Sequence, residues 1–481
     1  MSMKSIADAG TVASIGIGNV ADTALRRVIT DLDKIPHSME PATLAEKSRD
    51  HFWFSPILKS ELEGLTADLL VTPGTQDEVL QVISACARHR VPITARGAGT
   101  GNFGQSVPLA GGVLLDMTKL NRMVWMRGAA ARAEAGVLTL DFDRETRTQG
   151  WEMRMHPSTK RVATLGGFIA GGHAGIGSVN YGILRDRGNI LGLKLATIEP
   201  EPRILEIRGA DLTTVHHAYG VNGVMLEVEL PLAPAYAWRD LIITFSDFMQ
   251  AARFGWALAS ADGMAKKLIS PVTATLAQHF HALRPVIPVG QHPVFAMVAP
   301  ESMEALHELV QEFGGSVTLD CAEGEHLGMP IYEFTWGHTT MRVLEHQPDV
   351  TYLICIFGGA DPLAQVREVH ERFGAEAPLH LEFKRLNGKL VVEGIPVFHY
   401  TGPAQIDKLS AAFQALGVKI ANVHTYFLQN GGMHLVDEAQ INFKRATDPF
   451  NLMNPGKIAG FDEIDGAPGG AAHIKAAGWA Y

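Results

Sequence analysis

The tightest constraint in this chain is where its glycines fall. Among 49 glycines, two dense runs stand out, Arg96–Gly112 and Gly166–Gly182. Glycine admits left-handed backbone and close approach, at an entropic cost, so such runs imply backbone pressed against a neighbour. The first run contains Gly99, Gly101 and Gly104 in a GxGxxG pattern. In a dinucleotide-binding βαβ unit a helix starts at that point and takes the phosphate at its N-terminus. Here Gln105 to Pro108 and then Gly111-Gly112 follow, which read as a loop leading into a strand. Two readings remain. One is a nest of consecutive backbone N–H groups for an anion, with Arg96 adding charge. The other is a tight strand connection.

Composition narrows the class. The 481 residues carry 41 Lys+Arg against 51 Asp+Glu, a net charge of −10, which argues against a nucleic-acid binder. With 46% hydrophobic and 19% charged residues the chain can bury large cores. Cys86, Cys321 and Cys355 lie far apart, which excludes a cysteine-ligated iron–sulfur cluster, a CxxC zinc site and a disulfide scaffold within the chain. A reduced, cytoplasmic protein is expected. No apolar run reaches the roughly 18 residues of a membrane span. Asp8 and Asp22 interrupt the mildly apolar start, so no signal peptide is expected.

Local patterns place these runs on elements. Residues 19–34 predict a helix, followed by an extended arm through Pro36 and Pro41. Leu69–Thr72 predicts a strand. Thr75 and Glu78 form a capping box for a helix carrying Val79, Val82, Ile83 and Cys86. Val91–Thr94 and Gly112–Asp116 predict strands on either side of the first glycine run. Beyond Trp238 the texture changes to an α+β pattern with antiparallel strands. Strands are expected at 241–245, 294–298, 352–357, 379–383 and 390–392. Helices are expected at 247–260, from Met303 to Phe313, and from Ile406 to a stop at Gly417. Pro231 and Pro234 mark a domain boundary.

Four elements in order then carry a resemblance. They are Arg96–Gly101, Ala163–Gly167, Gly220–Val228 and Asn454–Lys457, preceded by Pro73–Val79. Together they resemble the vanillyl-alcohol oxidase, or PCMH-type, FAD-linked oxidoreductase superfamily. The look is nearest to the glycolate oxidase and D-lactate dehydrogenase branch. The resemblance implies an α+β, two-domain PCMH-type FAD-binding fold with a central antiparallel-sheet cap domain. Residues 1–55 would form an N-terminal helical arm. Residues 56–235, completed by 430–481, would bind FAD, and 236–429 would form the cap that sets the substrate. By the same resemblance Arg96, Gly97, Ala98, Gly99, Thr100, Gly101, Gly104 and Gln105 would cradle the pyrophosphate. Pro157, Ser158, Thr164, Gly166 and Gly167 would line the ribityl and isoalloxazine side. Gly223 and Val224 would reach the flavin through backbone, with Asn454 and Lys457 near its polar end. Residues 96–106 contain no His, so no covalent linkage is expected there and FAD is expected to be non-covalent; a linkage from a cap-domain His stays open.

Oxidation of an alcohol needs a proton acceptor, most readily His near neutral pH, and a hydroxy acid needs a cationic clamp. His424 and His338 are the expected bases, Tyr426 a donor to substrate, and Arg342 the carboxylate clamp. If extended, Trp336 and His338 share a face, as do His380, Glu382 and Lys384. No metal site is expected: the H-x-x-G-D-G-N-x-H segment of many D-2-hydroxyacid relatives is absent, and His424 and His434 match it only loosely. The expected function is FAD-dependent oxidation of an alcohol, foremost a hydroxy acid, by hydride transfer. Alternatives are a para-phenolic alcohol or amine oxidase and a non-catalytic FAD-fold subunit. The expected partners are a small-molecule substrate and an unassigned electron acceptor (oxygen, quinone, cytochrome or another protein chain), with no nucleic acid and no membrane span. The resemblance further implies a homodimer.

Overall fold

The computed structural model describes residues 22–428 and 438–458. The first layer is a four-stranded sheet ordered His37–Ser38, Leu69–Val71, Val113–Asp116, Ile93–Arg96. Its pairings run parallel apart from that of the short edge strand His37–Ser38. Every residue of Leu69–Val71 and Val113–Asp116 is buried, as a doubly covered parallel sheet requires. Helix Gln76–His89 makes the crossover and packs Val79, Val82, Ile83 and Cys86 on the sheet beside Leu25, Val28 and Leu32 of helix Asp22–Leu32. Thr75 Oγ1 accepts the Glu78 N–H at 3.2 Å. The returning Glu78 carboxylate takes the Gly74 N–H at 2.6 Å, so the capping box closes one residue earlier than its pattern implies.

The second layer is antiparallel, ordered Met123–Arg127, Ala130–Glu134, Val224–Pro234, Gly192–Ala196, Ile204–Ile207. Trp151–Met153 pairs with the far end of Val224–Pro234. The C-terminal segment docks on the first sheet: Ile93 N–H donates to Leu452 O at 2.9 Å, and Ile93 O accepts from Asn454 N–H at 2.8 Å.

The middle of the chain holds two sheets of one topology. Strands Arg239–Phe245, Lys266–Pro271, His292–Val298 and Ser316–Ala322, with helices Phe248–Ser260 and Met303–Glu312, form a βαββαβ unit. Ile354–Phe357, Leu381–Leu386, Lys389–Gly394 and Lys419–Ala421, with helices Pro362–Phe373 and Pro403–Ala415, repeat it. In each, the second strand pairs with the third, the third with the first, and the first with the fourth. Their edges meet at the bridge Val272↔His380 and the 3.0 Å bond from Thr273 N–H to Leu379 O. The expected α+β fold with an antiparallel central part is what the chain adopts. Among the expected stretches, the arm expected to be extended through Pro41 turns there into helix Pro41–Lys47, and the predicted strand at 352–357 is split, because Val350–Tyr352 pairs with Val397–His399 while Ile354–Phe357 joins the repeat sheet.

Buried charge seats the middle part on the first. Lys267 Nζ bonds Glu152 at 2.7 Å, both nearly fully buried, and Trp238 Nε1 donates to the same carboxylate at 2.9 Å. Among the described residues no helix is long and apolar enough to cross a membrane.

Removing the Thr75 cap leaves an amide at the crossover helix without its acceptor. Thr75→Ala is expected to lower unfolding free energy by about 1 kcal/mol, read by denaturant melts, with unchanged cofactor content.

Candidate functional site

A cavity of about 340 Å³ lies between the two sheets and the middle part. One wall is backbone. Strand Ile93–Arg96 runs directly into residues 97–102, all of which line the cavity. Beside them Pro157, Ser158, Thr164, Gly166 and Gly167, then Gly171–Gly175, Gly223 and Val224 line the same cavity. Helix Leu165–Gly171 starts here because Thr164 Oγ1 caps it, accepting the Gly167 N–H at 3.2 Å. Along the loop, the amide N–H groups of Ala98 through Asn102 have no acceptor among the described residues. Five successive donors without an acceptor among the described residues, on residues that line the cavity, fit an anion nest of the kind a pyrophosphate requires.

The loop glycines answer to the protein's own packing. A β-carbon on Gly97 would lie 2.1 Å from Thr164 Oγ1, one on Gly99 2.1 Å from the Arg96 guanidinium, and one on Gly101 2.2 Å from Gln105 Oε1. Gly99 also has φ +70°. Two of the Arg96 nitrogens are spent on backbone carbonyls, while its Nε is buried without a partner among the described residues. Its Nη1 donates to Arg49 O at 2.5 Å and its Nη2 to Ala98 O at 3.1 Å. It therefore braces the loop from beneath. Gln105 Oε1 accepts the Phe103 N–H at 3.0 Å and does the same one turn on.

Three expected cofactor residues lie behind this wall and not on it. Gly104 O accepts from Lys457 Nζ at 2.5 Å. Asn454 Nδ2 donates to Gln105 O at 2.8 Å and Tyr219 O at 2.7 Å. Lys457 is fully buried, with Asp50 as its charge partner; burial pushes the lysine down and the aspartate up, each opposed by the other's charge. Asp50 in turn accepts the Phe52 and Ser106 N–H groups. These residues clamp the loop to the C-terminal segment.

The facing wall comes from the arm and the middle part: His51, Phe54, Trp336, His338, Met341, Tyr352, Ile354, Glu393 and Ile395. His338 is here, 8% exposed, with Nδ1 3.1 Å from Glu333 Oε2, close enough for an ion pair but not aligned as a hydrogen bond. It does not lie on an extended strand. Trp336 precedes helix Gly337–Leu344, so the alternation expected of the two residues is replaced by a helix start. His51 joins it from a different element; burial lowers its pKa, and the charges of His338 and Arg96 lower it further. Tyr352 Oη accepts from Asn102 Nδ2 at 2.9 Å, tying this wall to the loop.

The other expected catalytic residues do not reach the cavity. His424 Nδ1 accepts from Ser55 Oγ and its Nε2 donates to Tyr352 O, both at 2.9 Å. The Tyr352 carbonyl can only accept, which places the proton on Nε2 and leaves Nδ1 to accept from Ser55, whose Oγ also takes the Leu58 N–H. With both nitrogens engaged and burial pulling its pKa down to about 4, His424 is a neutral strut. Tyr426 packs beside Leu62 and Gly104 under Lys457. Arg342 pairs with Glu345 at 2.8 Å and lies over the Phe334 ring, so it clamps nothing in the cavity. His434 lies outside the described residues. His380, Glu382 and Lys384 do share a face, but it is interior, with His380 paired to Glu382 and Lys384 to Glu393. His51, Tyr352 and Glu393 carry no sequence signal of a site. His217 and Tyr219 belong to the third glycine motif, yet nothing in its pattern says that both line the cavity.

Comparison with known proteins agrees with this geometry. Residues 67–205 match the family model described as FAD binding domain. The glycolate oxidase subunit GlcD of Bacillus subtilis is 27% identical over 211 residues, covering 42% of this chain and 44% of that protein. A D-lactate dehydrogenase of Anaerostipes hadrus is 29% identical over 180 residues, covering 35% and 37%. These matches span less than half the length of either relative. A solved structure of alkyldihydroxyacetonephosphate synthase superposes with a TM-score of 0.67 at 14% identity, over 89% of this chain and 85% of that one, which shows a common fold. The cofactor of this chain is FAD.

Two outcomes follow. Gly99→Leu drives a side chain into the Arg96 guanidinium and is expected to abolish FAD retention, measured as flavin released from purified protein; native flavin content would refute the brace. The second concerns pH. His424 and His217 both have folded pKa values of about 4, below the ordinary 6.5. The unfolded chain therefore takes up protons first as pH falls. The contribution of these two histidines should be fully present above about pH 6.5 and be lost toward about pH 4, and His424→Gln should remove its share of that loss relative to the native chain in melts run across the range.

Proposed function

We propose that this chain is a FAD-dependent oxidoreductase that oxidises an alcohol, with a hydroxy acid as the first substrate class. The observation that carries the proposal is one cavity walled on one side by the unspent amides of Ala98–Asn102 and on the other by His51 and His338. Similarity to proteins named for glycolate and D-lactate supports the substrate class. The bound flavin supplies a two-electron acceptor. His338 takes the hydroxyl proton of the donor at Nε2, and Glu333 beside Nδ1 stabilises the imidazolium that forms. Tyr352, held by Asn102, orients the donor oxygen. Phe54, Met341, Ile354 and Ile395 exclude water from the reacting atoms.

A second reading has its own support. No Lys or Arg among the described residues of the facing wall lines the cavity, whereas Phe54, Trp336 and Tyr352 do. That wall suits a phenolic alcohol better than a small carboxylate, whose burial without a cation is costly.

An anaerobic panel of glycolate, D-lactate and phenolic alcohols tests both readings by bleaching of the flavin absorbance. His338→Gln is expected to slow bleaching by about 10²-fold or more with FAD content unchanged. An unchanged rate removes His338 from the mechanism. A chain that no member of either class bleaches refutes the alcohol reading.

A further inference from the structure

Trp336 has φ 53° and ψ −138°. A bulky L-residue enters that region only where its surroundings force it to. The position is critical, because Trp336 lines the cavity and precedes the helix whose second residue is His338. A change in its backbone carries the His338 ring with it.

The restraint comes from far along the chain. Trp336 N–H donates to Glu382 Oε1 at 2.7 Å, across 46 residues of sequence. The same oxygen lies 2.6 Å from His380 Nε2, which is also 3.0 Å from Ser270 Oγ. Glu382 is 1% exposed and His380 0%. Both sit at the seam between the two βαββαβ units, where His380 bridges Val272. A carboxylate is expensive to bury unless donors fill its lone pairs, and here a backbone amide and an imidazole do so. Neither Glu382 nor His380 lines the cavity, so neither touches a donor molecule.

We propose that Glu382, oriented by His380, is a positioning residue that holds Trp336 in its left-handed conformation and thereby sets His338 at the cavity. The restraint stands on geometry alone; its effect on turnover rests on the reading of His338 as proton acceptor. The seam between the two units thus controls the facing wall.

The test uses the full FAD-loaded chain and two readouts: hydrogen exchange of the amides at 336–340, and anaerobic bleaching by glycolate, D-lactate or a phenolic alcohol, whichever reduces the native protein. Glu382→Met is expected to raise exchange at 336–340 by about tenfold or more, the worth of one strong hydrogen bond. It should slow bleaching at saturating donor by a similar factor, with KM within about threefold and FAD content native. Glu382→Gln, whose amide oxygen still accepts the Trp336 N–H, should stay within about threefold of native exchange. In a Trp336→Gly chain glycine adopts φ 53° unaided, so adding Glu382→Met should change exchange at 337–340, the amides compared between backgrounds, by less than about twofold; the residue-336 amide loses its acceptor in both. Native exchange in Glu382→Met, or an equal increment in both backgrounds, overturns the proposal. If Glu382→Met does not accumulate, His380→Ala decides: exchange at the same amides rises by about threefold or more, or the proposal falls. Raised exchange with undiminished bleaching overturns the proposal that the restraint sets His338 for turnover, whereas the proton-acceptor reading falls only on an unchanged rate in His338→Gln.

Discussion

Backbone segments in this protein meet at distances that leave no room for a β-carbon. At Gly97 the obstacle is Thr164, at Gly166 it is Ala135, and at Gly175 it is the carbonyl of His156. These contacts join the loop after Ile93–Arg96, the helix Leu165–Gly171 and the segment around 172–177 into one wall. The wall can then offer amides instead of side chains. A run of unspent N–H groups stays available only because Arg96 and Gln105 hold the loop from the inner side through their own hydrogen bonds. A glycine-rich loop without those braces would lose the nest to conformational freedom.

Buried ionic groups lock the parts that the wall brings together. Lys457 and Asn454 tie the C-terminal segment to Gly104 and Gln105. Lys444 bonds Asp448 at 2.7 Å and the carbonyls of Val221 and Met453, while Asp448 takes the Leu452 and Met453 amides. Lys267 and Glu152 seat the middle part. Each such group is costly alone and tolerable only in its own arrangement, so these pairs specify geometry more than they add stability. They explain why a lysine near the C-terminus serves the loop from behind while contributing nothing to the cavity surface.

Much of the local structure was legible. The capping box at Thr75, the strands around the first glycine run and the helix stop at Gly417, with φ +75°, follow from short-range chemistry. The repeated βαββαβ unit was not, because its two copies share topology and a pattern of buried strands without shared residues. The helix start at Gly337 was also hidden. Its trigger is the capture of the Trp336 amide by Glu382, a contact no local pattern encodes.

The sequence by itself pointed to the backbone wall formed by residues 97–102 and 163–167, but not to Gly104, Asn454 and Lys457 lying behind it. Glycine spacing is dictated by contacts within a few residues or between ordered motifs, so it can be read from the chain. Which histidine reaches the cavity was decided by tertiary structure. His424 and His338 are equivalent as letters, yet one spends both nitrogens on Ser55 and Tyr352 while the other lines the cavity beside Glu333. Arg342 likewise has the right charge and the wrong direction. An imidazole's role depends on which groups the fold sets around its two nitrogens, and those groups arrive from distant segments.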